Sequence, residues 1–404
     1  MKLWDKGYNI DNFVSKYTVG KDRELDMYLA KYDVQASKAH AQILASIDLL
    51  SVEELAALEA ALDLIAQEIE RGIFEIEDQF EDVHSKLEAL LTEKVGEAGK
   101  KIHSARSRND QVLVALHLFC KSELKELLGL ISNLFETLLS LADQHKSVLM
   151  PGYTHLQVAM PSSFGLWFSA FAETLIDDVI QLRASYQIAD QNPLGSAAGY
   201  GSSFPIDRDY TTKALDFAWM KYNAIACQYN RGRLEKSMAF TLSSVAGTLN
   251  KMASDMCLFV NQNFGFVSFP KELCTGSSIM PHKQNPDVWE LMRAHCNKAQ
   301  QLPVEVAMLT TNLATGYHRD FQLLKEIILP AVFQMKENLV AADFMLQHIQ
   351  VNTNILENQE LYQYMFSVES INAMVLNGES FRDAYKKLGE EIASGTFKAK
   401  HQIN

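Results

Sequence analysis

Two long apolar stripes constrain the fold of this 404-residue chain more than any other feature. Apolar residues recur every three or four positions from Leu116 to Leu141, and again from Leu234 to Phe259. This period is typical of one face of an α-helix, and helices of roughly 26 residues must pack against partners of similar length. The same interpretation fits Pro161–Ala189, Asp287–Ala314 and Phe321–Gln350. The sequence therefore predicts an all-α fold with a central bundle of five long helices.

Proline positions separate these helices from the loops between them. No proline occurs in residues 1–150 or after Pro330, and we expect Pro303 and Pro330 to kink or begin helices. The first 100 or so residues fit shorter helices, one of which begins at a capping box of Ser51 and Glu54. No segment shows the alternation that is typical of a strand.

The composition describes an ordinary soluble globular protein, with 48% hydrophobic and 22% charged residues. A net charge of −13 without a Lys/Arg block argues against nucleic-acid binding. We see no signal peptide and no run of about 18 apolar residues that would suggest a membrane span. The cysteines form no CxxC pair, which favours reduced thiols in the cytoplasm. The long amphipathic helices favour homo-oligomerisation through the bundle, with a monomer around a broad closed core as the alternative.

The segment Gly276–Pro286, GSSIMPHKQNP, is the strongest candidate for a functional loop. Pro281 and Pro286 disfavour a helix, because proline lacks the amide donor and restrains the residue before it. The loop offers two hydroxyl groups, backbone amides and the cation of Lys283, which together suit a carboxylate that gathers negative charge. A simple Ser/Gly/Pro connector is the alternative interpretation.

Further segments carry side chains suited to binding or proton transfer. The segment His103–Gln111, HSARSRNDQ, places two arginines ahead of the first stripe. A guanidinium group can bind a carboxylate through two hydrogen bonds, and the N-terminus of a helix also favours an anion. A solvated, charge-paired helix terminus is the alternative. Met150–Gln157, MPGYTHLQ, places Thr154 and His155 where a helix would begin, and histidine passes protons readily near neutral pH. A structural histidine is the alternative there, and the Gly-rich loop Asn192–Arg208 either cradles an anion or turns the chain.

Several other catalytic patterns are missing from the sequence. Ser277 lacks the GxSxG elbow, and the sheet that this elbow requires is not predicted. The segment Gly276–Lys283 lacks the GK[ST] ending of a Walker A loop, HExxH is absent, and no histidine pair has metal-ligand spacing. The remaining side chains point to acid–base chemistry on a carboxylate substrate without a metal or cofactor.

In this order, the segments resemble the fumarase/aspartase superfamily, whose signature loop has the form GSSxMPxKxNP. The match at Gly276–Pro286 is complete. The remaining segments are similar to the argininosuccinate lyases in particular: SRNDQ at Ser107–Gln111, PGYTHLQ at Pro151–Gln157, NPLGS at Asn192–Ser196, IDR at Ile206–Arg208 and YHRDFQLLK at Tyr317–Lys325. One departure is YTVGKDR at Tyr17–Arg23, which carries no clearly matching substrate-binding serine.

The resemblance implies a mostly helical, three-domain protomer. Residues 1–108 would form an N-terminal helical domain, residues 109–350 the central helical bundle, and residues 351–404 a C-terminal helical domain that is shorter than usual in the family. Four such bundles would associate as the 20-helix core of a homotetramer. Each active site would be assembled from the signature segments of three subunits.

The implied reaction is the elimination of argininosuccinate to L-arginine and fumarate in arginine biosynthesis. The resemblance assigns Ser277 to the succinyl Cβ proton and His155 to the leaving nitrogen, with Glu290 raising the basicity of His155. Which of Ser277 and His155 is the base and which the acid stays open. Lys283 and Asn285 are expected to stabilise the carbanion.

The remaining implied contacts bind the substrate. They are Asn109, Arg108 and Thr154 for the succinyl carboxylates, Tyr317, Gln322 and Lys325 for the arginine end, and His84 as a further contact. Adenylosuccinate lyase, aspartase and fumarase share the signature loop, but RSRNDQ and the segment Tyr317–Lys325 favour argininosuccinate. A catalytically silent structural homologue is the alternative from a different class.

Overall fold

The computed structural model describes residues 11–357 and 359–398, without the side chains of residues 359 and 360. Within these ranges the chain is mostly helical, as predicted, and its strands pair only in two-stranded sheets. The α-helices are α1 (Asn12–Val19), α2 (Asp22–Asp26), α3 (Ala30–Ser46), α4 (Val52–Glu70), α5 (Val83–Val95), α6 (Glu97–Lys101), α7 (Arg108–Gln144), α8 (Phe164–Ala189), α9 (Arg208–Ala214), α10 (Ala224–Gln228), α11 (Asn230–Val260), α12 (Asp287–Gln300), α13 (Leu302–Leu309), α14 (Leu324–Gln347), α15 (Gln359–Tyr362), α16 (Ser367–Leu376) and α17 (Phe381–Ala393).

The strands form three small sheets within the same ranges. They are β1 (Leu149–Thr154), β2 (Gln157–Ser163), β3 (Gln191–Asn192), β4 (Trp219–Met220), β5 (Val267–Ser268) and β6 (Gln350–Val351). Strand β1 pairs with β2 and β5 with β6 in antiparallel fashion, whereas β3 and β4 are parallel. Short 3-10 helices cover Lys271–Leu273, Arg319–Leu323 and Ile355–Glu357.

The two predicted apolar stripes are confirmed. Every stripe residue from Leu116 to Leu138 is buried on α7, and every one from Leu234 to Phe259 is buried on α11, while Leu141 is half-buried. Helix α7 has 37 residues and α11 has 31, so both extend beyond their stripes. Near its start α11 departs from helical geometry at Arg231 and Gly232, where Gly232 has a φ of +82°.

The other three predicted helices have different limits. Helix α8 begins at Phe164, because Pro161 belongs to strand β2. The predicted helix 287–314 is divided into α12 and α13, and Pro303 lies in the first turn of α13, where its missing amide removes no helical hydrogen bond. Helix α14 continues through Pro330. The sequence thus predicted the helical segments correctly but joined two of them.

The chain divides into two compact units, each built from several stretches of sequence. Unit 1 takes its described residues from Met1–Gly129, Asp178–Gly247 and Cys296–Glu337. Unit 2 takes its described residues from Leu130–Asp177, Thr248–His295 and Asn338–Asn404. Helices α7, α8, α11 and α14 each contribute residues to both units. The three domains 1–108, 109–350 and 351–404 stay a prediction.

In unit 1, helices α3, α4 and α5 pack around a continuous apolar core. Leu44, Leu62 and Leu87 lie within it and are almost completely buried. Helix α4 begins at the predicted capping box: Ser51 Oγ accepts from the Glu54 amide at 3.2 Å, and Glu54 Oε2 accepts from the Ser51 amide at 2.9 Å. This core fixes the N-terminal end of α5, which carries residues of the site described below.

In unit 2, a β-hairpin corrects the expectation that no strand forms. We expected a helix to begin after the Pro-Gly break of the segment Met150–Gln157, and this prediction was wrong. The segment forms β1 and the two-residue turn before β2, in which His155 and Leu156 have φ values of 53° and 58°. Positive φ at both positions is typical of a type I′ hairpin turn, which usually contains Asn-Gly. The prediction failed because that signal is missing and because Pro151 and Pro161 interrupt the strand pattern.

Candidate active site

Unit 1 contains a cavity of about 380 Å³ that is lined by six of the residues selected from the sequence. These six are His84, Arg108, Asn109, Tyr317, Gln322 and Lys325. The other lining residues are Asp22, Asp26, Glu81, Asp82, His103, Ser107, Val112, Arg231 and Arg319. The fold thus brings together side chains from separate stretches of the chain, although their role in substrate binding stays a prediction.

The start of α7 is fixed by hydrogen bonds around Ser107 and Asp110. Ser107 Oγ accepts from the Asn109 amide at 3.3 Å, and Asp110 Oδ1 accepts from the Ser107 amide at 2.9 Å. Asp110 Oδ2 accepts from the amides of Gly195 and Ala197 at 3.0 and 2.8 Å. Burial raises the pKa of Asp110, although these backbone hydrogen bonds oppose the rise. The Gly-rich loop therefore cradles a carboxylate of the protein itself, next to the two cavity residues that follow Ser107.

Two buried carboxylates orient two arginines at the cavity. Arg108 Nη1 lies 3.3 Å from Glu81 Oε2, and Arg108 Nε lies 3.0 Å from Asp82 Oδ2. Arg319 Nη2 lies 2.8 Å from Glu81 Oε1. Burial alone would raise the pKa of Asp82, but the charges of His84 and Arg108 hold it below its ordinary value. The alternative of a charge-paired helix terminus fits these contacts in part, yet the pairing lies in a cavity and not in open solvent.

His84 is buried beside Asp33, and its Nδ1 lies 2.9 Å from Asp33 Oδ2. Gln111 Nε2 donates to the other oxygen of Asp33 at 3.2 Å. Burial lowers the pKa of His84, but Asp33, Asp82 and Asp26 raise it more, so the pKa lies above its ordinary value. Within the described residues, His84 Nε2 is buried and has no hydrogen-bond partner. Nε2 of His84 is therefore left for a ligand, as far as the described part of the chain is concerned.

Lys325 lies between two carboxylates of α2. Its Nζ is 2.6 Å from Asp22 Oδ1 and 2.6 Å from Asp26 Oδ1. Burial lowers the pKa of Lys325, but the two carboxylates raise it above its ordinary value, so the ammonium group stays charged. Burial raises the pKa of Asp22 to about 6, against the opposing charge of Lys325.

The remaining predicted contacts in unit 1 differ in how firmly they are held. Gln322 Nε2 donates to the carbonyl oxygens of Thr18 and Val19, both at 3.0 Å, at the end of α1. Tyr317 is partly exposed at the cavity wall. The side-chain amide of Asn109 makes no hydrogen bond with any residue that the structure describes. The side-chain amide of Asn109 is therefore available to a ligand.

In unit 2, the hairpin presents Thr154 and His155 at its tip, and both are exposed. Just before them, Tyr153 packs on Phe264 and Phe266, with ring centroids 5.7 and 6.4 Å apart respectively. The strand register shifts between Gly152 and Tyr153, because β2 has one extra residue, Ala159, opposite them, and such a bulge increases the local twist. The hairpin is thus anchored next to its tip, which carries the predicted proton-transfer histidine.

The signature loop in unit 2 is closed by hydrogen bonds between Thr275 and Asn285. The Asn285 amide donates to Thr275 O at 2.9 Å, and Asn285 Nδ2 donates to Gly276 O at 3.3 Å. Ser277 is half-buried, and its Oγ accepts from the amides of Met280 and Ile279 at 3.2 and 3.4 Å. The prediction of a non-helical loop is confirmed. Two backbone amides thus point at the hydroxyl oxygen of Ser277.

Three other predicted catalytic side chains in unit 2 lack partners. Within the described ranges, His155, Lys283 and Glu290 are exposed and make no side-chain hydrogen bond or ion pair. The expected interaction in which Glu290 raises the basicity of His155 is therefore not formed inside one copy of the chain, and it stays a prediction. These groups remain free to contact a ligand or another subunit.

Sequence reasoning missed several charged residues of the unit 1 cavity. The missed acids are Asp22, Asp26, Glu81 and Asp82, and the missed cations are Arg231 and Arg319. Glu81 and Asp82 lie three and two residues before His84, and Arg319 lies inside YHRDFQLLK. Their proximity to those segments was the available signal. Asp22 lies in the very segment where the expected serine could not be found.

Among the residues that the structure describes, no group of three or more His, Cys, Asp or Glu side chains is arranged to hold a metal ion. All five cysteines are free thiols. No helix in the described ranges has both the length and the apolar character needed to cross a membrane.

The chain matches a family model described as lyase over residues 9–300. It is 54% identical to argininosuccinate lyase of Phocaeicola vulgatus, over 98% of this chain and 89% of that relative. It is 52% identical to argininosuccinate lyase of Parabacteroides distasonis, over 100% of this chain and 90% of that relative. The chain belongs to the argininosuccinate lyase family. The family predicted from the sequence motifs is therefore confirmed.

This member of the argininosuccinate lyase family also shares its fold with a solved EDDS lyase variant that has fumarate bound. The TM-score is 0.78 at 21% identity, over 96% of this chain and 78% of that chain. An identity this low shows the fold alone.

Proposed function

We propose that the protein is a carbon–nitrogen lyase that eliminates fumarate from argininosuccinate and releases L-arginine. One observation carries this proposal: six residues that the family resemblance assigns to the substrate, from His84 to Lys325, line a single cavity in unit 1. Relatives named argininosuccinate lyase, at 54% and 52% identity, support the same reaction. A role in arginine biosynthesis in the cytoplasm follows from that reaction and is part of the proposal.

The reaction begins with removal of a proton from Cβ of the succinyl part. The electron pair left on that carbon is delocalised into the adjacent carboxylate, which then carries extra negative charge. The bond between Cα and the guanidino nitrogen breaks, the carbon–carbon double bond of fumarate forms, and the nitrogen gains a proton to give arginine. No water is consumed. The site must therefore stabilise a dianionic carboxylate and move two protons.

We assign these steps to side chains of unit 2. Ser277 would handle the Cβ proton, and the two amides that donate to its Oγ would favour the alkoxide that a base requires. Lys283 and Asn285 would stabilise the carbanion. His155 would handle the proton at the leaving nitrogen, with Glu290 raising its basicity, and the choice of base and acid between Ser277 and His155 stays open.

The remaining residues would bind the substrate. Asn109 has a free side-chain amide, and Arg108 has an oriented guanidinium group, which suits the succinyl carboxylates. Thr154 would contact the same carboxylates from the hairpin. Tyr317, Gln322 and Lys325 would bind the amino-acid end of arginine, and His84 would satisfy its free Nε2 on the substrate.

We further propose that the protein acts as a homotetramer with a 20-helix core, in which each active site takes residues from three subunits. The exposed and unpartnered state of His155, Lys283 and Glu290 within one chain supports this assembly. The expected reaction needs no metal or cofactor.

Absorbance of fumarate provides the test. Purified protein would be mixed separately with argininosuccinate, adenylosuccinate and aspartate, and its mass measured by light scattering. Turnover of argininosuccinate alone is the expected result. Turnover of a different substrate would overturn the assignment of the substrate, and a folded tetramer inactive on all three would indicate a silent homologue.

A further inference from the structure

Two carboxylates of α2 share one ammonium group at the wall of the cavity. Asp22 and Asp26 lie one helical turn apart, and each has an oxygen 2.6 Å from Lys325 Nζ. Asp26 is almost completely buried and also accepts from the Val83 amide at 3.3 Å. Asp22 is less deeply buried, and it makes no other hydrogen bond with any described residue. One positive charge thus faces two negative charges.

The other cations at the cavity are already paired with different carboxylates. Arg108 and Arg319 contact Glu81 or Asp82. Arg231 contacts Glu235, and the ring of His84 contacts Asp33. None of these pairs involves the carboxylates of α2. The cavity end at Asp22 therefore keeps an excess negative charge that a cationic ligand group would balance.

A second observation indicates that a ligand completes this cavity. The side chain of His84 is 1% exposed, it lines the same cavity, and its Nε2 has no hydrogen-bond partner among the described residues. A buried polar atom without a partner destabilises the folded protein until a ligand group satisfies it. The site is therefore built for an occupant with both polar and charged groups.

We propose that Asp22 is a specificity-determining residue, which binds the α-ammonium group of the arginine part of the substrate. This inference rests on the proposed function. The guanidino nitrogen of the substrate lies at the bond that breaks, so the α-ammonium group is the cation left to bind at the amino-acid end. Lys325 would then pair with the α-carboxylate next to it. The segment Tyr17–Arg23 thus supplies a carboxylate where the family resemblance led us to look for a serine.

Calorimetry with a pair of ligands tests this role. L-arginine carries the α-ammonium group, and 5-guanidinopentanoate lacks it but keeps the guanidinium and the carboxylate. We expect Asp22→Asn to weaken the binding of L-arginine about tenfold or more, because a hydrogen bond to its charged ammonium group is lost. The binding of 5-guanidinopentanoate should weaken less than about twofold, because that ligand has no ammonium group. Asp22→Ser should behave in the same way. For argininosuccinate, KM should rise by a similar factor while kcat changes little.

A matched control lies on the same helix, because Glu24 is exposed and does not line the cavity. Glu24→Gln should leave both affinities unchanged. If Asp22→Asn weakened the binding of both ligands equally, Asp22 would only position Lys325, and the inference would be wrong. Turnover of argininosuccinate by the unaltered protein would still support the proposed function in that case. If the unaltered protein bound neither ligand and formed no fumarate, both proposals would be wrong.

Discussion

His84 Nδ1 lies 2.9 Å from Asp33 Oδ2, and both side chains are excluded from solvent. The carboxylate orients the ring so that Nε2 is left for the cavity. Because the pKa of His84 is raised, the ring keeps both protons to a higher pH than a solvent-exposed histidine, and Nε2 can donate to an anionic ligand group. A buried ion pair thus prepares a hydrogen-bond donor.

The first prediction concerns the stability of this pair. Asp33→Asn should lower the free energy of unfolding by about 3 kcal/mol at pH 6, because it leaves a buried imidazolium without its partner. The difference should depend on pH. A raised pKa in the folded protein means that the pair stabilises fully below about pH 6.5, the ordinary pKa of histidine, and that this stabilisation is lost as the pH rises through the raised value. Thermal unfolding between pH 5 and 9 measures both effects.

Asp63 provides the control for that experiment. It pairs with Lys38 at 2.6 Å, but its side chain is 57% exposed, so Asp63→Asn should have little effect at any pH. A constant difference between the unaltered protein and Asp33→Asn across the whole range would show that the charge of His84 does not contribute to stability.

The second prediction concerns the geometry of Arg108. Its guanidinium contacts Glu81, Asp82 and Ser85 through separate nitrogens. Lysine keeps the charge but cannot make these contacts from one planar group, so Arg108→Lys should raise KM for argininosuccinate about tenfold. Steady-state kinetics measure the change.

Arg23 is a matched control for Arg108. Their side chains are 30% and 27% exposed, and Arg23 is likewise held by a carboxylate, that of Asp78 at 2.8 Å. Arg23 does not line the cavity, so Arg23→Lys should leave KM unchanged. Equal changes in the two variants would mean that Arg108 acts on the fold and not on the substrate.

The sequence predicted the parts of this protein that depend on local patterns. The stripes on α7 and α11 were predictable because helical periodicity is local and burial follows it. The capping box at Ser51 is local for the same reason. The loop at Gly276–Pro286 was predictable because one glycine and two prolines within eleven residues disfavour a helix locally.

Features that depend on distant partners were missed. The hairpin of β1 and β2 forms although its turn has no glycine, because Tyr153 packs against Phe264 and Phe266 far along the chain. The position of Asp22 beside Lys325 likewise arises only when α2 packs against α14, and no local sequence pattern predicts it.

The third prediction concerns the hydroxyl of Ser277. Ser277→Ala should lower kcat at least about 100-fold, because positioned proton transfer contributes roughly that much. Ser278→Ala is the control, because Ser278 is the exposed neighbour of Ser277 and its replacement leaves both amides that donate to Ser277 Oγ. We expect a much smaller loss there. Full activity in Ser277→Ala would mean that a group other than Ser277 transfers the Cβ proton.

The fourth prediction separates the chemistry of His155 from the shape of its turn. His155 has a φ of 53°, a conformation that asparagine tolerates better than most residues, so His155→Asn should remove the imidazole while the hairpin stays intact. Turnover of argininosuccinate should fall about 100-fold with an unchanged melting temperature. Leu156→Asn alters the other turn position, at a φ of 58°, and keeps the imidazole, so it should retain most of the activity. An equal loss of activity in both variants would mean that turnover depends on the conformation of the hairpin tip, and that His155 transfers no proton.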